Sequence, residues 1–231
     1  MLLLRGFSGF FGSGLTLTGL FYTPLSEAIV LQMTASVITA LLAICFCKEK
    51  YDFTLFLTTV FSFAGVVLIS KPEFIFGAHQ DDYQFPFRTL GIMLTLLGSA
   101  AMAVSQILIK KLGSVSDAYS TAMYLGIVFV VMAPIFQTIQ GIKFPNMTDM
   151  MWMLLIGIVR YFMHVLLNKA FAFEDAGKVA LMAYSQVPFA YLIDLVIVGV
   201  AVNWYSVMGA ISVFSCVFVM LYKNYKKNQK N

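Results

Sequence analysis

The sequence predicts an all-α membrane protein, a polytopic bundle of about eight transmembrane helices. Three observations predict it. Hydrophobic residues fill 60% of the 231 positions and charged residues only 11%, whereas soluble domains are about a quarter charged. Eight apolar stretches reach the roughly 20 residues that a helix needs to cross a bilayer core. These stretches lack the short, alternating pattern of transmembrane strands, so helices are the elements that satisfy their backbone groups in hydrocarbon.

The spans fall at 4–22, 26–47, 52–70, 88–110, 118–140, 150–171, 177–200 and 204–222. Short connections join spans one, two and three. The connection 71–87, "KPEFIFGAHQDDYQFPF", is long enough for local structure but too short for a domain. The other connections are short, so the sequence offers no soluble catalytic module. Cys45, Cys47 and Cys216 lie within or at the ends of apolar runs, which suits packing residues better than disulfides or a zinc site. "MLLLRGFSG" has no basic leader ahead of its apolar start, so no cleavable signal is expected.

Charge placement orients the bundle. Of the 15 Lys and Arg residues, eleven lie on one side, Lys71, Arg88 and Lys143 lie on the other, and Arg160 lies inside a span. The positive-inside rule therefore predicts cytoplasmic N- and C-termini, with plasma membrane and endomembrane both open. The same placement accounts for the net charge of +4 without a nucleic-acid partner; the lipid bilayer is the partner implied. The triplet Asn146-Met147-Thr148 is a glycosylation pattern on the outer side, too close to span six for use to be expected.

Small and polar residues fall in stripes. Span one carries Arg5, Gly9, Gly12, Thr16 and Gly19; span two carries Ala28, Gln32, Ala35, Thr39 and Ala43; span four carries Gly91, Thr95, Gly98, Met102 and Gln106. Each set lies on one helical face, and small residues let helices approach closely in lipid. The amides of Gln32 and Gln106 need partners, either another helix or water in a cavity. Span five has few such residues and is expected at the periphery.

Span six, "LLIGIVRYFMHVLLNKAF", carries Gly157, Arg160, His164 and Asn168 on one face. Facing lipid, Arg160 would cost about 2.5–3.5 kcal/mol on insertion scales, so it is expected to face protein or water. Asp194 in span seven is its expected partner. At 1.5 Å per residue the two lie roughly 15 and 10 Å from the outer ends of their helices. Such a pair is either an ion pair of the scaffold or the border of a cavity in which Arg160 and His164 meet a polar or anionic group.

A loose internal repeat aligns 19–43 with 169–195, with Ala28 opposite Ala180, Ser36 opposite Pro188 and Thr39 opposite Tyr191. Span one runs outward and span six inward, so the units have opposite topology, a known transporter plan. Arg5-Gly6 opening a span, "PLSEA", "LLAICFCKEKYD" and "FAGVVLISKPEFIFG", followed by "NKAFAFEDAGKVALMAYSQVPFAYLIDLVIVGV", resemble the EamA-type repeats of the drug/metabolite transporter superfamily. Within it they are most similar to the G-type members of solute carrier family 35. The resemblance covers nearly the whole chain.

It implies ten helices in two inverted five-helix repeats that move small organic solutes by alternating access. This chain would then be a partial 3+5 version of that two-repeat inverted-topology transporter, without the first two helices. The organisation expected is a three-helix partial repeat at 1–76, a non-cytoplasmic loop at 77–87, a five-helix repeat at 88–223 and a basic cytoplasmic tail at 224–231.

The functional expectation is a secondary carrier or exchanger of a small polar or anionic metabolite. Arg160, His164, Asp194, Gln32, Gln106, Tyr184 and Gln186 would border its path. No Gly-rich phosphate loop with Lys appears in the sequence, so a gradient or exchange would drive it. No metal or cofactor is expected, and a homodimer is compatible with the pattern. The alternative is a truncated, non-transporting membrane scaffold. An enzyme is not expected: two histidines, His79 and His164, cannot build a multi-histidine metal box, and Asp194 is the one acidic residue deep in a span.

Overall fold

The computed structural model describes residues 1–49, 52–71, 75, 87–113, 115–140, 146–193, 195–196 and 204–228. Its elements are α1 (Leu2–Leu20), α2 (Leu25–Cys47), α3 (Phe53–Ser70), α4 (Arg88–Leu112), α5 (Ala118–Gln140), α6 (Met147–Phe173), α7 (Ala176–Ala183), α8 (Gln186–Ile193) and α9 (Trp204–Asn228). The fold is all-α, with no strand among the described residues. Of these helices, α2, α3, α4, α6 and α9 are long and apolar enough to cross a membrane. α1 has the length, but glycine, serine and threonine dilute it. In α5 the side chains are described over Ala118–Pro134, and that stretch is apolar. Residues 77–86 of the expected loop and the last tail residues, 229–231, lie outside the described residues.

Span seven is not one helix. The chain leaves the α-helix at Tyr184 and Ser185, whose amides donate to the carbonyls of Leu181 and Met182 at 3.1 Å, a tightened final turn. Pro188 supplies the reason. It has no N–H to give the carbonyl of Tyr184, and its ring crowds that carbonyl. The carbonyl instead accepts from the amide of Val187 at 3.1 Å.

Two glycine-lined seams hold the bundle. α1 and α4 run antiparallel with their stripes face to face. A Cβ on Gly98 would meet the Gly12 carbonyl oxygen and the Thr16 nitrogen at 2.8 Å, and one on Gly19 would meet the Gly91 carbonyl oxygen at 2.8 Å. Backbones this close leave no room for a side chain, and the small residues exchange bulk for dispersion contact. α3 and α9 repeat the device, with a Cβ on Gly65 only 2.8 Å from the Gly209 carbonyl oxygen. Between the seams, Val30, Met33, Leu181, Tyr184 and Val187 join Val66 and Val213 in one apolar core that knits α2, α3, α7, α8 and α9.

The helix ends are tied by polar bonds. At the lysine-rich end, Glu49 just after α2 accepts from the amides of Ala176 at 2.7 Å and Gly177 at 3.3 Å, capping α7. Beside it, Lys110 Nζ donates to the Glu174 carbonyl at 2.7 Å, and Lys223 pairs with Asp52. At the opposite end the buried Glu27 receives Arg88 through Nε at 3.1 Å and through Nη2. α5 is peripheral: Leu125 and Val128 are buried, while Met123, Ile127, Val130 and Val131 are exposed.

Candidate functional site

A cation is buried in this bundle, and it is Arg5. One turn into α1, on the face that carries the glycine stripe, its side chain is only 1% exposed. Its Nη2 donates to Asn168 Oδ1 at 3.4 Å, a long bond by ordinary standards. Its Nε and Nη1 are buried and have no hydrogen-bond partner. Among the described residues no carboxylate pairs with it. The helices fix it firmly: its carbonyl accepts from Ser8 Oγ at 3.1 Å and from Ser105 Oγ of α4 at 3.3 Å.

α6 supplies the rest of the cluster. Asn168, 2% exposed, uses its Nδ2 to donate to the Ala118 carbonyl at 3.0 Å, so α1, α5 and α6 meet at this amide. His164 lies one turn nearer the middle of α6, on the same face. Its Nδ1 is buried without a partner, and the charges of Arg5 and Arg160 both act on it. A guanidinium and an imidazole with unused capacity thus sit beside an amide that already bonds one of them. In a low-dielectric interior an uncompensated cation is expensive. A small anion would compensate it.

Arg160 departs from expectation. It lies in a continuous exposed stretch, 146–163, and the protein does not shelter it. The reason is the packing of α6, which buries Val165, Asn168 and Phe171 near its C-terminal end and leaves the earlier turns bare. Gly157 on the same face has nothing within 4 Å of a built Cβ. The proposed partner Asp194 lies outside the described residues.

The other expected residues gather elsewhere. Gln106 Oε1 accepts from Thr39 Oγ1 at 2.7 Å, joining α4 to α2, so this amide has found a helix partner. Tyr184 is fully buried at the α7–α8 break, its ring edge-on to Phe63 at 6.4 Å. Gln186 is exposed and reaches Met33 Sδ of α2 with Nε2 at 3.5 Å. Gln32 is half-buried on α2. The structure therefore joins His164 to Arg5 and Asn168 between α1 and α6, and Tyr184 and Gln186 to α2 at the helix break. Charge placement puts Arg5 among the eleven basic residues of the side expected to be cytoplasmic. Its place in a stripe of packing glycines was the signal that it points inward.

A sequence profile described as the EamA-like transporter family matches residues 1–71 and 89–222. A probable transport protein of Saccharomyces cerevisiae is 28% identical over 98% of this chain and 69% of its own length. Solute carrier family 35 member G1 of Homo sapiens is 28% identical over 92% of this chain and 59% of its own length. The chain thus spans well short of either relative's full length. One crystal structure superposes with a TM-score of 0.81 at 12% identity, over 94% of this chain and 76% of that one, a likeness of fold alone.

Proposed function

The chain belongs to the EamA-like transporter family, and we propose that it works as a secondary carrier or exchanger of a small polar or anionic organic metabolite by alternating access. The observation that carries this reading is the break between α7 and α8, held against α2 by the core around Met33 and Tyr184. Discontinuous helices at the interface of inverted units are where such carriers gather solute. There the unwound turn offers backbone groups and a hinge. Tyr184, Gln186, Gln32 and Gln106 border the path on the α2 side, and His164 borders it on the α6 side. Arg160 belongs to it as part of an open α6 face that lines water, because a guanidinium against acyl chains is costly. The lysine-rich end faces the cytoplasm under the positive-inside rule.

Alternating access is tested with Ser185→Cys in a chain whose Cys45, Cys47 and Cys216 are replaced by alanine. An impermeant maleimide should label the new thiol from either side, in proportions that shift with solute. Labelling from one side only, unchanged by any solute, would refute the reading. The bare turns of α6 favour a second reading, a non-transporting scaffold whose α6 face is covered by another membrane protein. Recovery of a stoichiometric complex with no flux would select it.

A further inference from the structure

We propose that Arg5, His164 and Asn168, between α1 and α6, form the subsite that takes the carboxylate or phosphate group of the carried solute. Four features of the cluster support this. Arg5 is buried and keeps two donor nitrogens, Nε and Nη1, unused, and a planar guanidinium offers paired donors that match a carboxylate or phosphate edge. His164 adds a further unpartnered buried nitrogen, Nδ1, within reach of the Arg5 charge. Asn168 is already bonded to Ala118, so it is held ready to orient whatever Arg5 binds. Finally, among the described residues no acidic side chain neutralises the cluster. At the opposite end of the bundle the buried Glu27 is matched by Arg88, whereas Arg5 has no such counter-charge among the described residues.

A phospholipid headgroup carries the same chemistry. The geometry favours a solute, because Arg5 is covered by α4, α5 and α6, whereas headgroups meet exposed cations such as Lys223. The inference rests on the carrier reading for what the anion belongs to. It is tested by binding, which needs no transport.

The test is thermal unfolding of the full chain in detergent, at fixed ionic strength, with succinate, inorganic phosphate or neutral glucose added. A second arm places the chain in nanodiscs of phosphatidylcholine with or without phosphatidylglycerol. Succinate or phosphate should raise the midpoint of the wild type in a saturable way, and glucose should not. Arg5→Met should weaken the response at least about tenfold, as loss of a charged anchor does, without lowering the midpoint of the unliganded protein. A buried unpaired charge replaced by an apolar chain is not a loss of structure. Arg5→Lys, which keeps charge but loses the fork, should respond to an intermediate degree, and Asn168→Leu should weaken binding as well. Three results overturn the proposal: no response of the wild type to either anion, a response to phosphatidylglycerol alone, or an Arg5→Met protein that is destabilised yet binds normally. Binding lost with flux retained sinks the subsite alone; binding retained without flux sinks the carrier reading alone.

Discussion

Gly98→Ala in α4 should destabilise the protein, although alanine is the better helix former. The added Cβ would lie 2.8 Å from the Gly12 carbonyl oxygen and 2.8 Å from the Thr16 nitrogen, while ordinary contact begins near 3.4 Å. Both atoms are backbone, so neither can rotate away, and α1 must retreat from α4 by about half an ångström along a seam that runs from Gly12 to Gly19. Overpacking of this kind costs about 1–3 kcal/mol, against a helix-propensity gain of about 1 kcal/mol or less. With two backbone clashes the cost lies toward the upper end of that range, and the net expectation is a loss of up to about 2 kcal/mol. The control is Gly157→Ala on α6, which meets nothing within 4 Å and should be neutral or stabilising by up to about 1 kcal/mol. Reversible unfolding in mixed micelles, followed by far-UV circular dichroism, reads both. Equal effects for the two substitutions would refute the claim that backbone proximity, rather than general helix packing, defines the α1–α4 seam.

Other consequences follow from single contacts. Glu49→Ala removes the acceptor of the Ala176 and Gly177 amides and should cost about 1 kcal/mol, with faster amide exchange confined to the first turn of α7. Arg88→Ala strips a guanidinium from the fully buried Glu27 and should lower stability by about 3 kcal/mol in the same unfolding assay, with Arg88→Lys recovering part of it. Lys48 ends α2 in the left-handed region at φ 54°, so Lys48→Gly should stabilise by roughly 1 kcal/mol.

Much of this architecture is legible in the sequence because lipid makes it so. A span must be long, apolar and helical, and its small residues must point at a neighbour; the stripes of α1 and α4 were readable on that ground, and the two do meet. Local steric effects were less legible. Pro188 was in plain view, but a proline in a membrane helix can be accommodated as a kink, so the residue alone does not tell a kink from a break. The burial of the basic residues was hard to read for a different reason. Spacing places Arg160, His164 and Asn168 on one face of α6, yet it cannot say which turns of that face are covered. α1 meets α4 and α5 along its length, whereas α6 is packed only over its last turns. So the cation expected inside is exposed, and Arg5, assigned to a terminus by its position in the chain, is the one enclosed.

The role proposed for the enclosed and unmatched Arg5, holding the anion of a carried solute, is read by counterflow in proteoliposomes, with labelled succinate or phosphate outside and the unlabelled anion preloaded. Uptake should be accelerated by preloading in the wild type and reduced to the protein-free level in Arg5→Met. Preloading without effect in the wild type, or an Arg5→Met protein that exchanges at the wild-type rate, would contradict it.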